Sequence, residues 1–231
     1  GAYFAKLGFQ YSKQGDYDTA QRSFQTAIRL QPNLTVAHAG LGFVFLQQNV
    51  FKEAIAAYQK AIQINPDSIQ TYKDLGLAYT KYEQYDEAIQ TYKRVIQLSP
   101  KSADLYRALG STYMILGGFH KAKLAYWKYL ELELNVAAVH DNLGTIYKYD
   151  GRLTEANREY NKAIKIDPNF AEAYFHVGVI QVLTGKLNKA REAYQTCIRL
   201  KPQHSNARYN LAQVYFRQGR LEKVLLRNVF F

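Results

Sequence analysis

The chain has 231 residues, 48% of them hydrophobic, and its 30 Lys and Arg against 19 Asp and Glu give a formal net charge of +11. One cysteine and one methionine exclude a disulfide framework and a paired-thiol metal centre. No apolar run approaches the roughly 20 residues of a membrane-spanning helix, and the opening GAYFAKLG lacks the basic-then-apolar pattern of a secretory signal.

Taken in order, Ala2 to Gln14 places Leu7 and Tyr11 four residues apart, on one face of a predicted helix. Gly15-Asp16 breaks it. Asp16 is placed to cap a second helix from about Tyr17 to Leu30, whose buried side carries Ala20, Phe24, Ala27 and Ile28. Pro32 closes this helical hairpin, because proline cannot continue a helix and disfavours a helical residue before it.

The hairpin then returns at a fixed period of 34 residues. Gly8, Gly42, Gly76, Gly110, Gly144 and Gly178 keep the beat, and Ala212 continues it. A small residue recurs at Ala20, Ala54, Ala88, Ala122, Ala156 and Ala190, and a ring at Phe24, Tyr58, Tyr92, Tyr126, Tyr160 and Tyr194. Small residues let helices approach, and rings fill the space beside them. Six units begin near residues 1, 35, 69, 103, 137 and 171, with a partial seventh from residue 205. An isolated hairpin cannot bury both apolar faces, so the expectation is one continuous all-α array over residues 1–231.

Unit four departs most from the pattern. Its turn carries Gly117-Gly118, Leu134 stands in the proline slot, and Leu124 and Trp127 occupy positions that are mostly polar elsewhere. Trp127 is expected to cover Leu132 and Leu134 within its own molecule. Unit seven places Leu211 and Tyr215 on the beat, but the chain ends in the apolar run to Phe231 without a polar capping helix. Its edge at Leu225, Val229, Phe230 and Phe231 is expected to meet another copy of the chain. The chain begins inside a unit and without methionine, so it reads as a fragment of a longer, cytoplasmic protein.

These columns resemble the tetratricopeptide repeat (TPR), a 34-residue helical hairpin. The resemblance implies a right-handed superhelical solenoid whose first helices line a concave groove for an extended peptide or a partner helix. Groove positions would then include Phe9, Phe43, Lys73 with Leu77, Arg107 with Ser111, Asp141 with Asn142 and Thr145, Phe175 with His176 and Val179, and Tyr209. Phe9, Phe43 and Phe175 would be apolar anchors, and Lys73 with Arg107 would select acidic side chains. Some members bind a terminal carboxylate through a lysine, asparagine and arginine set. The nearest series here has Ser111 for an asparagine and Glu172 for a lysine, so that mode is not expected. An asparagine ladder is also absent, since only Asn142 and Asn210 occupy its slot.

The residues suggest no enzyme, cofactor or metal. His38 and His140 fill the ring slot held elsewhere by Phe4, Tyr72, Tyr106 and Tyr174, and read as packing residues. None of the five histidines has a second one three or four residues away, as a helical zinc pair would require. Cys197 stands where Ala27, Ala61 and Ala163 stand, and reads as an inert packing residue. The cations are spread over many units, as Arg22, Lys60, Lys93, Lys128 and Lys165 illustrate, which disfavours nucleic acid and suits a solvated outer face. The leading expectation is a non-enzymatic scaffold for a protein or peptide partner. A nucleic-acid or anionic-surface binder, and the targeting arm of a larger enzyme, are the alternatives.

Overall fold

The computed structural model describes residues 1–133 and 136–219. Within them lie thirteen α-helices and no strand: α1 (Ala2–Gln14), α2 (Tyr17–Leu30), α3 (Thr35–Gln47), α4 (Phe51–Ile64), α5 (Ile69–Lys81), α6 (Tyr85–Leu98), α7 (Ala103–Ile115), α8 (Phe119–Leu132), α9 (Ala137–Tyr149), α10 (Leu153–Ile166), α11 (Ala171–Leu183), α12 (Leu187–Leu200) and α13 (Ser205–Arg217). The six full hairpins expected from the period are present, as is the first helix of the seventh, and α1 and α2 have the expected bounds. The fold is all-α. By contact density the chain divides into two compact units, Gly1–Leu132 and Glu133–Phe231. The edge residues Leu225, Val229, Phe230 and Phe231 lie outside the described residues, as does Leu134.

Each hairpin is closed around one notch. A Cβ added to Gly8 would stand 2.8 Å from the Phe24 ring, and one added to Gly76 only 2.4 Å from the Tyr92 ring. The second-helix ring therefore rests on bare first-helix backbone, which only glycine leaves open. Phe24, Tyr58, Tyr126 and Tyr160 are wholly buried there, beside the fully buried Ala20, Ala54, Ala122 and Ala156. Each such ring contributes about 1.5–3 kcal/mol by leaving water. Gly40 forms an additional notch, since a Cβ there would lie 2.4 Å from the same Phe24 ring.

The turn inside each hairpin needs a left-handed residue. Gly15, Gly117, Gly151, Gly185 and Gly219 supply φ of +69° to +79°, but Asn49 (φ 60°) and Glu83 (φ 62°) hold the same place in the second and third hairpins. The next residue then turns back: Asp16 N–H donates to the Tyr11 carbonyl at 3.0 Å and Gln84 N–H to the Tyr79 carbonyl at 2.9 Å. Asp16 caps α2 as expected, its carboxylate accepting from Thr19 N–H at 3.1 Å. Cys197 is fully buried, and burial pushes its thiol up to about 11, in keeping with a packing role.

Candidate partner-binding faces

In the first compact unit, two of the residues expected as anchors, Phe9 and Phe43, share one repeat position with the groove residue Leu77 on successive first helices. Phe9 on α1, Phe43 on α3 and Leu77 on α5 are 41%, 39% and 43% exposed. Phe9 packs edge-on against the buried Phe24 ring, centroids 5.0 Å apart. The row stops at α7, where Ser111 shares a hydrogen bond with the Tyr126 hydroxyl at 3.2 Å. Lys73 is partly exposed. Arg107 is exposed and meets Asp104 at 3.4 Å, a surface pair worth about 0–1 kcal/mol.

In every hairpin after the first the second-helix ring is a tyrosine, and most of these buried hydroxyls are paired. Tyr92 meets Thr80 at 3.2 Å, Tyr160 meets Thr145 at 3.2 Å, and Asn210 donates to Tyr194 at 3.4 Å. Among the described residues the Tyr58 hydroxyl alone of these is buried without a partner: Phe43 and Leu46 stand in the slots of Ser111, Thr145 and Thr80, and Asp74 stands in that of Asn210. Burial raises the pKa of Tyr58, Tyr92 and Tyr160, and that of Tyr194 to about 12, so all four stay neutral.

The second unit carries a different arrangement. Asp141 is not open to a partner: it is buried, and its carboxylate accepts from His176 Nδ1 at 2.8 Å. That bond requires a proton on Nδ1 and orients the ring. The His176 ring lies 5.0 Å from Tyr160 and 5.4 Å from Phe175, and Phe175 continues to His204 at 4.7 Å. Asn142 and Thr145 are partly exposed on α9. Farther along, Val179, Tyr194, Tyr209, Asn210, Val214 and Arg217 line a cavity of about 340 Å³, and Tyr209 is 66% exposed.

Next to Asp141, His140 does more than fill the ring slot. Its Nδ1 lies 2.8 Å from the carboxylate of Glu159 on α10, whose side chain is completely buried, and Lys162 Nζ reaches the other oxygen at 2.9 Å. Burial works against the charged form of Glu159, but the hydrogen bonds from His140 and Lys162 outweigh it and hold its pKa below the usual glutamate range. The sequence reading passed over Glu159. The signal was available, since Ser23, Ala57, Thr91, Ala125 and Ala193 occupy the equivalent slot and a glutamate there must be paired. His38 differs again, its Nε2 donating to the Pro32 carbonyl at 2.8 Å. Trp127 is 39% exposed, and Leu134, one of the two leucines it was expected to cover, is outside the described residues.

The family described as "TPR repeat" matches residues 44–83, 76–117, 144–185 and 180–219, and the one described as "Tetratricopeptide repeat" matches residues 1–34. The chain belongs to the tetratricopeptide-repeat family. Of the two intervals between matched stretches, residues 35–43 and 118–143, the longer contains the second helix of the divergent fourth TPR unit and the division between the two compact units.

Among solved structures, MamA is 26% identical with a TM-score of 0.66, over 71% of this chain and 95% of that one. YrrB, described as "a TPR protein with an unusual peptide-binding site", is 23% identical with a TM-score of 0.65, over 80% and 95%. A tetratricopeptide repeat protein from Parabacteroides merdae is 18% identical with a TM-score of 0.79, over 97% and 89%. These likenesses support the TPR superhelical fold. No curated protein matched the sequence. Among the described residues no helix is long and apolar enough to cross a membrane, and no group of three or more His, Cys, Asp or Glu is placed to share a metal ion.

Proposed function

We propose that this TPR chain, working as one array, is a non-enzymatic scaffold that holds a protein partner, as a peptide or a helix, on its first-helix face. The observation that carries the reading is the shared position and near-equal exposure of Phe9, Phe43 and Leu77. Large apolar side chains kept in water at one repeat position are costly unless something covers them. Phe175, Val179 and Tyr209 extend apolar surface on the first helices of the second unit, with the His176–Asp141 pair holding Phe175's neighbour in place. Lys73 and Arg107 favour acidic side chains on the partner. The printed description of YrrB as peptide-binding is in keeping with this reading.

Selection of peptides by display on the intact chain tests it. Selected peptides are expected to bind Phe43→Ala or Phe175→Ala at least about tenfold more weakly, the loss typical of removing a buried anchor. Peptides that bind both variants with unchanged affinity, or a display that yields none, overturn the reading.

A further inference from the structure

The first three first-helices carry charge in a one-sided way. The helix α1 holds Lys6 and Lys13, α3 holds no charged residue, and α5 holds Lys73, Lys81 and one acid, Asp74. None of the four lysines forms an ion pair among the described residues. Asp74 accepts from Gln70 at 2.9 Å and feels the charge of Lys73, so its carboxylate offsets one of the four positive charges and leaves the three helices net positive. Within that field stands the row Phe9, Phe43 and Leu77. Apart from Tyr3 near the start of α1 and Val36 near the start of α3, these three are the exposed large apolar side chains described on the three helices, and Lys13, Gln47 and Lys81 on the same helices are exposed polar residues.

The row also has a spacing. Helices α1 and α3 touch directly, as do α3 and α5, and packed helices lie about 8–10 Å apart axis to axis. A partner that meets one apolar side chain per helix must therefore present its own at about that interval. A β-strand repeats one face every second residue, about 6.7 Å, and falls out of register by the second rung. An α-helix comes round after two turns, about 10.5 Å, but brings a stripe several side chains wide that polar flanks would oppose. A polyproline II segment repeats every third residue at about 9.3 Å, presents a single file, and leaves its backbone solvated.

Resting on the scaffold reading above, we propose that the face of α1, α3 and α5 is a docking site for an acidic segment in the polyproline II conformation, with an apolar residue at every third position. The apolar residues seat one each on Phe9, Phe43 and Leu77, and the acidic residues between them meet Lys13, Lys73 and Lys81. Charge complementarity sets the partner's sign, and the rung interval sets its period.

Three fluorescein-labelled peptides of equal length and charge test this by anisotropy on the intact chain: Leu-Glu-Pro repeats, Leu-Glu alternation with glutamines balancing the charge, and an amphipathic acidic helix. The three-residue repeat is expected to bind about tenfold or more tightly than the other two, and Phe43→Ala and Lys73→Glu are each expected to weaken it about tenfold. Circular dichroism checks that each variant keeps its helices, and the partly exposed Lys73 supplies the readout should Phe43→Ala fail to fold. Equal or tighter binding of the alternating or helical peptide overturns the proposal, and if that binding is still lost in Phe43→Ala the broader scaffold reading survives. Equal binding of the three-residue repeat to Lys73→Glu also overturns it, and so does binding of no peptide in the set, an outcome that leaves the scaffold reading to the display selection.

Discussion

Tyr58 and Tyr160 occupy the same repeat position with opposite hydrogen-bonding outcomes, which makes them a controlled pair. Removing the Tyr58 hydroxyl deletes a buried polar atom that has no partner, whereas removing that of Tyr160 breaks its bond with Thr145. Tyr58→Phe is expected to leave stability unchanged or raise it by about 1 kcal/mol, and Tyr160→Phe to lower it by about 1 kcal/mol. Thermal unfolding of the two variants checks the sign of each. Glu83 presents a second local cost, because a side chain in the left-handed region costs about 1–2 kcal/mol, and the equivalent turn residue is glycine in four of the six described hairpins. Glycine is also freer in the unfolded chain, which returns part of that gain. The net expectation for Glu83→Gly is a stabilisation of about 0.5–1 kcal/mol, read from the urea midpoint.

The helices α9 and α10 are also joined by a polar cluster, at two positions where the other hairpins carry an aromatic or imidazole ring and a small residue. Replacing His140 with Tyr alone leaves Glu159 buried and short of one partner, and is expected to cost about 3 kcal/mol. Restoring the pattern of the neighbouring units with His140→Tyr plus Glu159→Ala is expected to recover stability to within about 1 kcal/mol, because an apolar pair of similar volume fills the space without desolvating a charge. Urea titrations of the single and double variants form the cycle. The pH dependence has a definite sign. A carboxyl with a lowered folded pKa contributes stability that is fully present above the ordinary 4.5 and lost as pH falls through the folded value. The parent chain should therefore lose more stability than the double variant below that pH. A double variant no more stable than His140→Tyr alone contradicts this view of the cluster.

Most of the fold was legible in the chain because its period is physical. Gly8 and its counterparts recur where a ring must touch backbone, and the prolines recur where one hairpin must end and the next begin. The polar cluster was less legible. His140 was visible as a departure in the ring slot, but its partner lies 19 positions on in another helix, and only comparison of Glu159 with Ala57, Ala125 and Ala193 exposes it. Asp141 and His176 were each placed on the partner face, yet their mutual bond spans adjacent repeats and cannot be read from spacing within one. The left-handed turn was recognisable at Gly15 and hidden at Glu83, where the residue type argues against the conformation it adopts. The positions of Phe9, Phe43 and Leu77 followed from the repeat register. Their exposure followed only from the family resemblance, since a phenylalanine inside a helical pattern is by itself more often core.

The central reading is that partners meet the first helices and leave the second helices in water. Amide chemical-shift mapping of the chain with a display-selected peptide tests this most directly. Perturbations are predicted to concentrate on α1, α3 and α5, and on α9, α11 and α13, around Phe9, Phe43, Leu77 and Phe175. Perturbations centred instead on the second helices, around Leu124 and Trp127 or along the cations of α4, α6 and α12, would contradict it.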